Sequence, residues 1–203
     1  MSELDRIAVK SRPVVIENWQ ERWDQEFQCV GKRIRRVLGT TALRIDHVGS
    51  TSVPNLAAKD IVDLQVTVES LDNLQDFNDR MKAAGYQKRG DIQTDCLVGL
   101  SESASHELRK CYFRESEGER RIHIHVRQKG LLNQRYALLF RDYLRANEAV
   151  RVCYELIKRR LAVIFPESIG GYLYIKDPLM DIIYQGAESW AKCANWSEDD
   201  LHL

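Results

Sequence analysis

LRIDHVGSTSVPNLAAKDIVDLQVTV, residues Leu43 to Val68, reads as two β-strands joined by a tight loop and one turn of helix. The first strand, 43–48, delivers Gly49 and Ser50 to its end; the second, 61–68, carries Asp63. Side chains alternate along a strand. Val62, Leu64, Val66 and Val68 therefore form an unbroken apolar face, and Asp63, Gln65 and Thr67 share the other. An aspartate in the middle of an apolar strand disfavours the strand and needs a compensating role. Pairing with an arginine or capping a loop is the plain role; handling a ligand is the other. Gly49 permits close backbone approach. Ser50 and Thr51 supply hydroxyls and backbone N–H groups at a helix start, where anions bind. Pro54 fits the first turn or the loop just after it.

The rest of the chain sets bounds on that reading. At 203 residues it suits one domain, or one domain with a helical extension. Thirty basic residues balance thirty acidic ones, so there is no global pull toward nucleic acid, and none is expected as a partner. No apolar run approaches the ~20 residues that span a bilayer, so no membrane partner is expected either. The N-terminus, MSELDRIAVKSRP, lacks the apolar centre of a signal peptide, and a cytoplasmic location is expected. Five dispersed cysteines with no CxxC pair suggest inert thiols. Cys29 and Cys153 fall in helical patterns, where a buried thiol serves as a small hydrophobe.

The pattern along the chain divides it into a flexible tail (1–13), an α+β core (14–130) and a C-terminal helical region packed on it (131–203). Asn18 is expected to cap a helix running to about Leu38, with Trp19, Trp23, Phe27, Val30, Ile34 and Leu38 on its buried side. Its basic end suits the dipole, and Gly39 stops it. A second helix is expected from Ser70 to Gly85, then a short strand over 86–89 and a long loop over 90–106. Leu108 to Arg114 should pair with Arg120 to Arg127 as a hairpin. Helices are expected at 134–146, 148–164 and 168–195, with Asp177-Pro178 a candidate break in the last. Strands early and helices late give the α+β class: a mixed β-sheet flanked by helices, followed by a C-terminal helical region.

Strand, Gly-Ser, short helix, then an Asp-bearing strand resembles the catalytic signature of the polymerase-β-like nucleotidyltransferase superfamily. That superfamily places two carboxylates two residues apart to bind the metal ions beside the transferred phosphoryl group. Here Gln65 takes the second position, and a neutral amide cannot neutralise metal charge. Asp60 is expected in the loop before the strand.

A wider set of motifs is similar to the GrpB family: Arg44 to Pro54 continued by Leu56 to Lys59, then His123-Ile124-His125-Val126, then Phe140 to Arg145 with Tyr154 and Lys158, then Tyr172 and Lys176 with Ala187 and Trp190. Together these span about 14–192. The family commonly has proline where this chain has Asp60. The resemblance implies a metal-dependent nucleotidyltransferase-like protein that moves a nucleoside monophosphate from ATP or another NTP to an unknown acceptor. It also implies a CoA-pathway enzyme as a partner, because family members occur fused to dephospho-CoA kinase. Asp63 and Ser50 would be catalytic. Gly49, Ser50, Thr51, Lys59, Tyr172 and Lys176 would bind the nucleotide, with Tyr172 stacking on the base one helical turn from Lys176.

His123 and His125 point to one face of their strand, toward Asp63 if the strands are neighbours, and His47 precedes Gly49-Ser50. Asp63, His123 and His125 then form a candidate divalent-metal site for Mg²⁺ or Mn²⁺, with Zn²⁺ or Ni²⁺ favoured by imidazole ligands. Histidines that bond to phosphate or to Asp63 without metal are the alternative. By residue chemistry alone Lys59, Lys158 and Lys176 would be solvated, and Arg141 with Asp142 would serve equally as a structural ion pair or a ligand contact. Two other functions stay open: an inactive nucleotide- or metabolite-binding accessory protein, and a His/Asp metal-dependent hydrolase.

Overall fold

The computed structural model describes residues 9–98 and 100–198. Five strands form one sheet in the order β1-β2-β5-β4-β3: β1 Arg44–Val48, β2 Val62–Val68, β3 Gln87–Lys88, β4 Cys111–Arg114 and β5 Ile122–Gln128. β2 and β5 run parallel, and the other neighbours are antiparallel, so the sheet is mixed. Helices α1 (Arg22–Leu38) and α2 (Gln75–Ala83) lie in the first half; α3 (Leu132–Ala146), α4 (Glu148–Ile164) and α5 (Ile169–Ala194) follow the sheet. The α+β class is the one expected. No described helix is long and apolar enough to cross a membrane.

The alternation read from β2 decides which side is which. Val62, Leu64, Val66 and Val68 join Ile45, Ile122, Ile124 and Val126 in one core, closed by Trp23, Phe27, Ile34 and Leu38 of α1 and by Phe77 and Met81 of α2. At roughly 1.5–3 kcal/mol per fully buried large apolar side chain, this layer is the main cohesive element of the fold.

The opposite face carries Asp63, Gln65 and Thr67, and α3 to α5 pack on this side through their own core of Leu139, Phe140, Leu144, Tyr154 and Tyr184. Gln65 is fully buried there. Its side-chain amide donates to the Gln134 carbonyl at 3.1 Å, and its carbonyl oxygen accepts from Arg127 at 2.7 Å. It is therefore a structural bridge between β2, β5 and α3.

Several local expectations change for physical reasons. α1 starts at Arg22, not at Asn18, because the Asn18 side chain accepts from Arg159 on α4 and its carbonyl accepts from Gln20. α2 starts at Gln75, because Ser70 uses its hydroxyl in a tight turn with the Asp72 N–H. Pro178 does not break α5, which runs through it. Proline removes one donor, and Pro178 lies at an exposed position of the helix, where its ring is not forced into the core. Cys29 and Cys153 are exposed, on the outer faces of their helices, and so are not core fillers. Of the expected tail, residues 1–8 lie outside the described residues; Ser11 and Val14 donate backbone hydrogen bonds to Glu167 and Pro166.

The Gln65 bridge gives a first prediction. Gln65→Leu removes a second donor to the Gln134 carbonyl and one of Arg127's partners, and should cost about 1–3 kcal/mol of stability. Urea denaturation checks this, and a change within experimental error would remove Gln65 from the structural role.

Candidate functional site

At one level across the sheet, the register aligns Val48 of β1, Asp63 of β2, His123 of β5 and Arg114 of β4. Paired residues in a sheet share a face, so Asp63, His123 and Arg114 point the same way. The next level aligns Asp46, Gln65, His125 and Tyr112. The first level opens into a cavity of about 600 Å³, a size typical of small-molecule sites. At the second level Asp46 and Gln65 are buried, while His125 and Tyr112 border the same cavity.

Gly49 and Asp63 are in direct contact. Gly49 has φ +72°, a region that side-chain-bearing residues rarely enter, and a Cβ there would lie 2.4 Å from Asp63 Oδ2. The loop is thus shaped around the carboxylate. Ser50–Ser52 form a single 3₁₀ turn, locked by the Ser52 hydroxyl donating to the Gly49 carbonyl at 2.6 Å. The short helix expected after Gly49 is this turn.

Asp63 Oδ1 lies 3.0 Å from His123 Nδ1 and 3.9 Å from His125 Nε2. Burial pushes the Asp63 carboxyl up, but hydrogen bonds and charge from the two histidines outweigh it and hold the group well below the usual carboxylate range. Burial first, then the nearby Arg127 and Lys110, push His125 down to about 4. At neutral pH the cluster therefore presents an ionised carboxylate and a neutral His125 imidazole. The Tyr112 ring sits 5.5 Å from that of His123 and 5.2 Å from that of His125, which restricts both.

Three ligand atoms from Asp63, His123 and His125 lie within 4.8 Å of one another. His125 Nδ1 is buried with no hydrogen-bond partner among the described residues. Two imidazoles and one carboxylate fit Mn²⁺, Zn²⁺ or Ni²⁺ better than Mg²⁺, which prefers oxygen.

Gly49, Ser50 and Thr51 also border the cavity, as do Lys59, Tyr172 and Lys176. Not every one is arranged as expected. Thr51 is buried and its hydroxyl is engaged by His47 at 3.1 Å. His47 lies on the opposite face from Asp63, stacked on Phe27 with ring centroids 4.8 Å apart. Burial pushes it down to about 3, so it is neutral and outside the cluster. Tyr172 is buried and the Lys59 ammonium sits 5.2 Å from its ring centroid, so a base would have to displace Lys59 to stack there.

The lysines are not solvated. Burial and the charge of Lys176 push Lys59 down to about 8. Lys158 is pushed down to about 7 by the same two causes; it donates to the Ala57 carbonyl, so it positions the loop. Glu155 completes that clamp by accepting from the Ala57 N–H at 2.8 Å. Lys176 is lowered by burial but raised more by Tyr154 and by Asp177, 2.9 Å away, and keeps its proton. Arg141 is buried and bonds to the His47 carbonyl at 3.2 Å and to Asp142 at 2.7 Å, which makes it structural. Asp60 lies in the loop before β2 and accepts from Trp23, Arg22 and Arg120.

Sequence reading missed Asp95, Arg114, Arg121 and Tyr112, which also line the cavity. A signal existed: Arg121, His123, His125 and Arg127 occupy alternate positions and share the polar face of β5. Asp95 had none, because it comes from the irregular 90–106 stretch. It is held by Lys110, by Arg127 at 2.9 Å and by Asn133 at 3.1 Å.

Known proteins with similar sequences and folds agree with one another. Residues 13–186 match the GrpB protein family. The crystal structure of conserved protein GrpB from Enterococcus faecalis shares 31% identity and superposes with a TM-score of 0.71, covering 87% of this chain and 99% of that one. The UPF0157 protein YqkA of Bacillus subtilis is 33% identical over 91% of this chain and 50% of its own length. A protein named dephospho-CoA kinase from Mycobacterium tuberculosis is 33% identical over 86% of this chain and 46% of its own length. The chain thus spans about half the length of these two curated relatives. The match over most of the chain and the shared fold establish that it belongs to the GrpB family.

Proposed function

We propose that this protein transfers a nucleoside monophosphate from an NTP to a hydroxyl or amine acceptor, with one divalent metal held by Asp63, His123 and His125. The observation that carries this reading is the direct packing of Gly49 against an ionised Asp63. A bound metal would supply Lewis-acid neutralisation of charge developing on the phosphates. Gly49 and Ser50 would offer close backbone and hydroxyl contacts to the phosphates. Lys59 and Lys176 border the same cavity and would neutralise them. The acceptor's oxygen or nitrogen forms a bond to the α-phosphorus, the α–β bridging bond breaks, pyrophosphate leaves, and the acceptor's proton is released to solvent. Asp63 orients the nucleophile. In the tuberculosis relative a kinase name accompanies the same kind of sequence, which supports a CoA-pathway enzyme as partner.

A single carboxylate favours a second reading. Gln65 is sealed away and Asp95 is held by three partners, so the superfamily's paired acidic ligands have no equivalent among the described residues. An accessory protein that binds nucleotide without transfer fits that deficit. A metal-dependent hydrolase would use the same cluster and would release inorganic phosphate instead of pyrophosphate.

Asp63→Asn should abolish Mn²⁺-dependent ATP binding and any pyrophosphate release while leaving the circular-dichroism spectrum unchanged. Retained turnover in that variant would refute the transfer reading, whereas nucleotide binding without pyrophosphate from any NTP would select the accessory role.

Gly49→Ala forces a Cβ onto the carboxylate in an unfavourable backbone region, and strain of about 1–3 kcal/mol is expected. Calorimetry should find metal affinity reduced together with thermal stability; full affinity would mean that the loop is not shaped around Asp63.

The pH dependence of ATP binding has a defined sign. Lys59 is charged below about 8 and neutral above it. Affinity should therefore fall between pH 7 and 9, and Lys59→Arg should flatten the fall. A fall that persists in the arginine variant would assign the dependence to another group.

A further inference from the structure

Two arginines that line the cavity, Arg114 on β4 and Arg121 just before β5, have no part in the reaction described so far. Arg114 and Arg121 line both the Asp63 cavity and a shallower groove beside it that includes Arg12 and Arg89. Arg121 Nε is buried and without a hydrogen-bond partner, as is Arg114 Nε. No ion pair involves Arg121 among the described residues. The acidic groups nearby are already engaged or exposed: Glu115 bonds to Arg114 at 3.3 Å and to the Ile122 N–H at 3.0 Å, Glu119 pairs with Arg33, Asp91 pairs with Arg89, and Glu117 is exposed. Burial, with Arg114 and Arg12 nearby, pushes the Arg121 pKa below its ordinary value.

A half-buried guanidinium with an unused donor is costly unless an anion meets it. The arginine fork matches phosphate oxygens in a bidentate way that lysine does not.

The register places Arg114 relative to the metal cluster, and Arg121 one strand from β2, where its carbonyl accepts from the Val62 N–H at 3.3 Å. Along the row Val48–Asp63–His123–Arg114, the Gly49–Ser50 loop is at one end and Arg114 at the other. With strands ~4.8 Å apart, Arg114 starts about 10 Å from Asp63 on the side away from that loop. In-line displacement at phosphorus needs the incoming group opposite the leaving one.

We infer that Arg114 and Arg121 form an anion subsite that holds a phosphate group of the acceptor, so that the acceptor is a phosphorylated small molecule entering from the β4 side. This rests on the transfer reading above and adds the chemical class of the second substrate.

Inorganic phosphate is the probe. Its binding to the full chain is measured by calorimetry with and without saturating α,β-methylene-ATP and Mn²⁺, in wild type, Arg121→Gln, Arg114→Gln and Lys59→Met. The wild type should bind phosphate in the presence of the analogue. Each arginine variant should weaken that binding at least tenfold while the analogue's affinity stays within twofold. Lys59→Met should weaken the analogue and spare phosphate. The two arginine variants sit on different segments, so one that fails to fold leaves the other decisive.

Phosphate affinity unchanged in the arginine variants would overturn the subsite. So would competition between phosphate and the analogue, or no binding at millimolar phosphate. A wild type that binds phosphate through Arg121 but does not bind the analogue would support the subsite and refute the transfer reading.

Discussion

The contact between Gly49 and Asp63 sets the geometry of this site. A glycine at positive φ lies where any side chain would strike the carboxylate, and the carboxylate is in turn held by His123 on the neighbouring parallel strand. Three segments distant in sequence are brought together: the end of β1, the start of β2 and the start of β5. None of the three could shift by a residue without losing the arrangement, because a one-residue slip turns every side chain to the other face of the sheet. The register is itself protected by the apolar layer beneath, where Leu64, Ile124 and Val126 are fully buried against α1 and α2.

The polar face is divided by what covers it. Where the C-terminal helices pack, Asp46 is engaged by Arg44 at 2.7 Å, Gln65 by Arg127 and Gln134, and Arg127 also by Asp95, while the Thr67 hydroxyl is buried without a partner among the described residues. Where the helices stand away, the polar residues Asp63, His123 and Arg114 face a cavity instead. The same strand therefore carries a structural amide and a chemically available carboxylate two residues apart. Glutamine at position 65 fills this buried bridge without bringing a charge under α3, where burial would make one expensive.

The fold was legible in the sequence wherever periodicity was clean. Strands β1, β2 and β5, the hairpin partner β4, and helices α3 and α4 all follow from alternation or 3.6-residue spacing. Boundaries failed where a side chain had a better distant partner than the local cap, as with Asn18 bonding to Arg159 and Ser70 closing a turn. Pro178 misled because sequence shows the missing donor but not that the helix around it is carried through by packing on its neighbours. The nine residues expected at the site do border one cavity, because they lie on regular elements or on the loop that Gly49 defines. What sequence could not show was their engagement. Thr51 is taken by His47 and Tyr172 is covered by Lys59, and both are tertiary facts. Asp95 was invisible for another reason: a side chain on an irregular loop has no periodicity to reveal its direction.

The charge distribution of the cavity bears on what it was built to receive. Lys59 and Lys158 are buried far enough, and near enough to Lys176, to be pushed toward neutrality at about 8 and about 7. Arg121, whose charge also acts on Lys59, keeps a buried donor unused. Such groups destabilise the empty protein, since each cation loses hydration without gaining a full counter-charge. Cationic groups of that kind persist at functional sites because a ligand completes them. A neutral metabolite would leave the cost standing. Arg114 stands two strands from Asp63 on the side away from the Gly49 loop, so a phosphate held at that loop would leave Arg114 without a counter-charge beyond Glu115. One anionic group at the Gly49 loop and a second at Arg114, with Asp63 and His123 between them, would meet both. Under the proposed transfer reading, that arrangement would suit a polyphosphate donor and an anionic acceptor.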